Sequence, residues 1–138
     1  MGIADALAGV NWPAVLAATA AAFTLGAMWY SKFLFGAAWM QEVGLSDDSL
    51  AKINMRPVLA GTAMLQFIAA TALAAFLGAD STWLTGLQSG LIIGICWIAT
   101  AYGITYLFEL RSLRLFRINA GYYIVMFAVM ATILGAWH

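Results

Sequence analysis

The chain has 138 residues, room for one domain. Hydrophobic residues make up 64% of it and charged residues 9%, against roughly 45–50% and about 25% in soluble globular domains. A soluble core this small could not hide so much apolar surface, so the excess must face lipid or other subunits. Six Lys and Arg balance six Asp and Glu; with no net charge and no basic–aromatic groove, nucleic acid is not an expected partner.

Residues 1–10 carry one charge, Asp5, and no Lys or Arg, unlike the basic opening of a secretory signal. Ala6 stands where a myristoylation signal requires Ser or Thr. Neither targeting signal is therefore expected. Four apolar segments can be counted, at residues 12–30, 58–79, 83–108 and 118–137. Each meets the roughly 17–25 residues needed to span about 30 Å of hydrocarbon, the third with some excess that predicts tilt or an extension. Lipid offers no partner to an unpaired backbone group, so these segments read as helices, and none shows the alternation a membrane β-strand needs. Asn11 is the expected N-cap of the first, with Pro13 just inside.

The connections predict orientation. Lys32, Lys52 and Arg56 lie in residues 31–57, and Arg111, Arg114 and Arg117 in residues 109–117. The N-terminal tail, the outer turn at residues 80–82 and His138 hold no Lys or Arg. By the positive-inside rule both basic connections face the cytoplasm and both termini face away from it. Trp12, Trp83 and Trp137 then mark the outer boundary, and Trp29 and Trp39 the inner one. Trp97 lies mid-membrane, where a lipid- or core-packed ring is expected. The turn at residues 80–82 is short enough to predict that segments two and three pack as an antiparallel hairpin.

Residues 29–39, Trp-Tyr-Ser-Lys-Phe-Leu-Phe-Gly-Ala-Ala-Trp, form an interfacial motif: Trp29, Tyr30, Ser31, Lys32, Phe35, Gly36 and Trp39 join aromatic rings to the first lysine of the chain. Beyond Lys32 this stretch either extends the first helix or lies in the interface as a short amphipathic segment. Ser46 followed by Asp47 and Asp48 predicts a short helix that ends before Pro57. An echo of Ala60-Gly61 and Phe67 in Ala120-Gly121 and Phe127 permits a two-plus-two repeat, although chance explains it more simply.

Three groups of residues are candidate sites. Gly86, Gly90 and Gly94 form a small-residue stripe that suits close helix packing, within the chain or between subunits, and Ala18, Ala22 and Gly26 repeat the spacing on the first helix. Gln66, Gln88 and Ser89 are polar at membrane depth. An interhelical hydrogen bond is the simpler role for Gln66, and a polar path for a solute the sharper one. Arg111, Arg114 and Arg117 are spaced to meet anionic headgroups. Catalytic, cofactor and metal sites are not expected: no ionisable residue lies centrally in a span, the one histidine is His138, and Cys96, the only cysteine, reads as a packing residue.

With Asn11-Trp12, Gly26, Trp29-Tyr30-Ser31, Phe35-Gly36, Trp39-Met40, Gly44-Leu45, Asn119-Ala120-Gly121-Tyr122 and Trp137 in view, the chain resembles a bacterial family of small four-helix membrane proteins catalogued as a domain of unknown function. Lys32 stands where that family is expected to carry proline. The resemblance implies an inner-membrane four-helix protein and brings no activity. Together these readings predict an all-α polytopic membrane bundle with a short cytoplasmic or interfacial helix between the first two spans. Its expected partners are membrane lipids and either further copies of itself or a larger membrane complex. The expected role is that of a self-associating or accessory subunit, with a homo-oligomeric transporter or channel as the alternative.

Overall fold

The computed structural model describes residues 2–138 and is helical throughout, with no strand among the described residues. In chain order the helices are α1 (Ile3–Ala8), α2 (Trp12–Trp29), α3 (Gly36–Val43), α4 (Asp47–Ala51), α5 (Met55–Leu77), α6 (Trp83–Glu109) and α7 (Leu113–Ala136). Four of them, α2, α5, α6 and α7, are long and apolar enough to cross a membrane.

Side chains set the helix starts. Asn11 Oδ1 accepts from the Ala14 amide at 3.3 Å, Ser46 Oγ from Ser49 at 3.1 Å and Ser112 Oγ from Leu115 at 3.1 Å. Two spans begin earlier than the apolar runs suggest. Helix α5 starts at Met55 and keeps Pro57 in its first turn, where no amide is needed. Helix α7 starts at Leu113, so Arg114 and Arg117 are helical and only Arg111 stays in the connection. Hydropathy marks the edge of the hydrocarbon, whereas a cap marks the end of the helix, and here the helices run past the edge.

Helix α7 is the centre of the bundle. Ten of its residues are buried, among them Leu115, Tyr122, Met126, Met130 and Leu134. One side of it takes α2 through Ala14, Val15, Ala18 and Ala22, and α5 through Gln66, Ala70 and Leu73. The other side takes α6 along the glycine stripe. A Cβ on Gly86 would overlap the Ala131 carbonyl, one on Gly90 the Phe127 carbonyl, and one on Gly94 would stand 2.8 Å from the Ile124 Cα. Gly135 answers from α7, where a Cβ would overlap the Thr82 carbonyl. The stripe thus lies against a neighbouring helix of the same chain, backbone on backbone.

The expected hairpin of the second and third spans is absent: α5 packs on α1, α2 and α7 and makes no substantial contact with α6. The six-residue step from Leu77 to Trp83 can reach roughly 20 Å, about twice the distance between packed helix axes. A short tether limits separation without imposing contact, and the glycine stripe draws α6 to α7. Trp12 also departs from the expected outer boundary. It stacks on Phe67 at 6.1 Å, and Phe67 lies roughly 15 Å along α5 from Leu77 at 1.5 Å per residue. Helix α1 covers the last turns of α5 above it.

Candidate functional site

Between α5 and α6, where the bundle is open, α7 forms the floor of an uncharged aromatic chamber. Its construction begins where α2 ends. Tyr30 closes the helix, and Phe35 and Gly36 fold back so that their amides donate to the Trp29 and Ser31 carbonyls, both at 2.9 Å. Gly36 is required in this reversal, because a Cβ would overlap the Tyr30 carbonyl and lie 2.7 Å from that of Ser31. The break comes despite Lys32 in place of proline, and it starts α3 as a separate helix.

The fold-back turns the interfacial motif inward. Trp29 Nε1 donates to the Ile118 carbonyl at 2.9 Å, and the ring lies over Gly121 and beside Phe35. Tyr30 Oη donates to Asn119 Oδ1 at 2.7 Å, and Asn119 Nδ2 donates to Tyr106 Oη at 2.7 Å. Ser31 Oγ bonds the Met28 carbonyl, and exposed Lys32 pairs with Asp47 at 3.3 Å. The apolar side chains turned outward are instead Phe33, which is 97% exposed, and Leu34. Trp29, Tyr30 and Trp39 are half-buried and pack against other rings, with Trp29 also bonded to α7.

All five tyrosines of the chain lie in one run of ring contacts. Trp39 meets Tyr30 at 5.7 Å, Tyr30 meets Tyr122 at 5.5 Å, Tyr122 meets Tyr123 at 5.0 Å, Tyr123 meets Tyr102 at 5.2 Å and Tyr102 meets Tyr106 at 5.6 Å. Below the run, Gln66 Nε2 donates to Tyr122 Oη at 2.8 Å, and Tyr122 Oη donates to the Ala22 carbonyl at 3.0 Å. Gly26 leaves room for that phenol, since a Cβ there would stand 3.0 Å from the Tyr122 oxygen. Gln66 is 6% exposed, and its Oε1 has no partner. The cavity above these groups has a volume of about 530 Å³. Tyr30, Trp39, Gln66, Tyr102, Asn119 and Tyr123 are among its walls. A cleft of about 350 Å³ continues it along α5 and shares Thr62, Gln66, Tyr102, Tyr122 and Tyr123. Both volumes suit a small ligand, and neither is lined by Asp, Glu, Lys, Arg or His.

The remaining candidate residues lie apart. Gln88 is exposed and Ser89 half-exposed on α6, and neither lines the chamber that Gln66 lines, so one chain does not join them in a path. The arginines have different partners: Arg111 pairs with Glu109 at 3.0 Å, and Arg114 donates to Gln41 at 3.1 Å, 3.9 Å from Glu42. Ser112 donates to Glu42 at 2.8 Å, so α3 is tied to the start of α7. Arg117 is exposed. Among the described residues no three His, Cys, Asp or Glu side chains come together. Tyr102, Tyr106, Asn119, Tyr122 and Tyr123 escaped the sequence reading as a site. Their signal was the spacing of Tyr102 and Tyr106 one turn apart, at the same end of the bundle as Asn119 and Tyr30.

Four long apolar helices around an uncharged aromatic chamber define a polytopic membrane protein. The chain belongs to the family described as "Protein of unknown function (DUF1761)", whose model matches residues 13–135. No curated protein and no solved structure matches it.

Proposed function

We propose that this is a non-catalytic inner-membrane protein that works as a self-associating subunit, with the outward face of α6 as its contact surface. The observation that carries this reading is Gln88. Its amide is exposed on the side of α6 turned away from the glycine stripe, roughly 7 Å along the helix from Trp83. Among the described residues it has no side-chain hydrogen bond. An amide left facing lipid is costly, and membrane helices commonly satisfy one by bonding across to another helix. Leu84, Leu91 and Ile95 are exposed on the same face at i−4, i+3 and i+7, the spacing of a helix–helix seam. An amide both donates and accepts, so two copies of Gln88 can pair across a two-fold axis. The glycine stripe has no part in this contact, because α7 of the same chain covers it.

The six basic residues supply the orientation. All lie at the end of the bundle where α2 ends and α5 begins, which the positive-inside rule assigns to the cytoplasm. Phe33, Phe108 and Leu110, exposed at that end, suit burial at the membrane interface, where exposed Arg117 can meet anionic headgroups.

The test is the mass of the complex extracted gently from native membranes, followed by self-association of the purified chain in lipid. A homo-oligomer whose dissociation constant rises roughly tenfold in Gln88→Leu is expected. A wild-type monomer, or a Gln88→Leu protein that associates like wild type, would sink the reading. Comigration with a different, larger partner would make the chain an accessory subunit of that assembly.

A further inference from the structure

We propose that the tyrosine-walled chamber binds a neutral, ring-bearing, lipid-soluble molecule that carries a hydroxyl group, and that this hydroxyl donates to Gln66 Oε1. Three independent features point to that chemistry. The first is the unpartnered oxygen. Among the described residues Gln66 Oε1 is the one buried side-chain oxygen or nitrogen without a hydrogen bond, and leaving such a group unpaired at membrane depth is costly. Its own amide nitrogen is engaged by Tyr122, and Tyr122 in turn spends its hydroxyl proton on Ala22. The neighbouring phenol therefore cannot supply the missing donor; Gln66 borders both the cavity and the cleft, so a small turn of its amide brings the oxygen to a ligand hydroxyl.

The second feature is the wall. Tyr30, Tyr102, Tyr122 and Tyr123 line the space around Gln66, and aromatic faces and edges at ring-stacking distance favour a flat partner. The third is the absence of charge. Acids and bases stand at the ends of the helices and not around the chamber, so an ionised ligand would enter without a counter-charge. Access is lateral. The cleft that continues the cavity runs between α5 and α6, which do not pack on each other, so a molecule dissolved in the bilayer reaches Gln66 without crossing the protein.

The experiment uses the full chain in lipid nanodiscs and two probes of nearly equal shape, 2-naphthol and its methyl ether. Binding is measured by equilibrium dialysis against empty discs. Wild type is expected to hold naphthol about tenfold more tightly than the ether, the ratio that one buried hydrogen bond supplies. Gln66→Leu should bind the two equally while keeping its affinity for the ether, which also shows that it is folded. Thr62→Trp should lose both probes by filling the space that Thr62 borders, with Gln66 intact. Equal binding of the two probes to wild type overturns the proposal, as does a naphthol preference that survives Gln66→Leu or the failure of both probes to exceed empty discs.

Discussion

The two sides of α7 show two ways of joining membrane helices. Toward α6 there is almost nothing but backbone: glycine follows glycine, and the helices approach until carbonyls occupy the space of missing Cβ atoms. Toward α5 and the end of α2 the side chains are large, polar groups bridge the helices and an open chamber remains. Lipid removes the hydrophobic drive between helices, leaving close packing and hydrogen bonds. One face of α7 uses the first and the other the second. Close packing leaves no space for a ligand, whereas hydrogen bonds among long side chains hold helices together at a distance and do leave space.

The close-packed face is the more sensitive of the two. Gly90→Leu should lower stability by about 3 kcal/mol or more, since the obstacle is the backbone of Phe127 and Ala128, which cannot move aside cheaply. Thermal unfolding in detergent measures it, and a loss below about 1 kcal/mol would mean the seam is looser than described. Tyr122→Phe is the matching cut on the open face. It removes the donor to Ala22 and the acceptor for Gln66, and it should cost about 2 kcal/mol by the same assay; an unchanged midpoint would show that the bridge does not hold α5. In the loop joining α6 to α7, Leu110 adopts φ +56° and is exposed, while the amide of Arg111 closes the helix end on Tyr106 at 3.0 Å. Leu110→Gly should therefore raise stability by about 0.5–1 kcal/mol. The smallest effect belongs to Gly61 on α5, where a Cβ meets nothing within 4 Å. Gly61→Ala should stabilise by about 0.5 kcal/mol, opposite in sign to any addition at Gly90, and a destabilised Gly61→Ala would show that α5 tolerates an added methyl no better than the seam does.

Much of this was legible in the sequence, and the reasons for the failures are physical. The four spans follow from apolar runs that nothing in water could hide, and Asn11 and Ser46 announce helix starts because short side chains reach the first free amides. Spacing alone identified Gly86, Gly90 and Gly94 as a packing face. It could not say which helix would occupy it, because partner choice depends on α7 presenting Ala128, Ala131 and Gly135 at a matching level. The contacts of the aromatic residues near Lys32 were hidden for a related reason. Trp and Tyr suit the membrane interface and helix contacts alike, and the fold-back at Gly36 brings these rings against one another. Gln66 was expected to make an interhelical bond, and its amide nitrogen does so. That its oxygen is left over depends on where Tyr122 points, a three-dimensional fact with no trace in the order of residues.

Helix α6 does not keep one winding along its whole length. From Ile93 to Ala99 the helix winds as a π-helix, the form an α-helix takes when one residue is inserted and both ends keep their places. The stripe keeps its seats up to that turn: Thr82 faces Gly135, Gly86 faces Ala131, Gly90 faces Phe127 and Ala128, and Gly94 faces Ile124. On the far side of the wide turn, Tyr102 lines the chamber and Tyr106 packs against its ring. In genetic terms, one codon gained or lost between Ile93 and Ala99 is absorbed as a wide turn or an ordinary one, so the glycines before it and the tyrosines after it keep their seats.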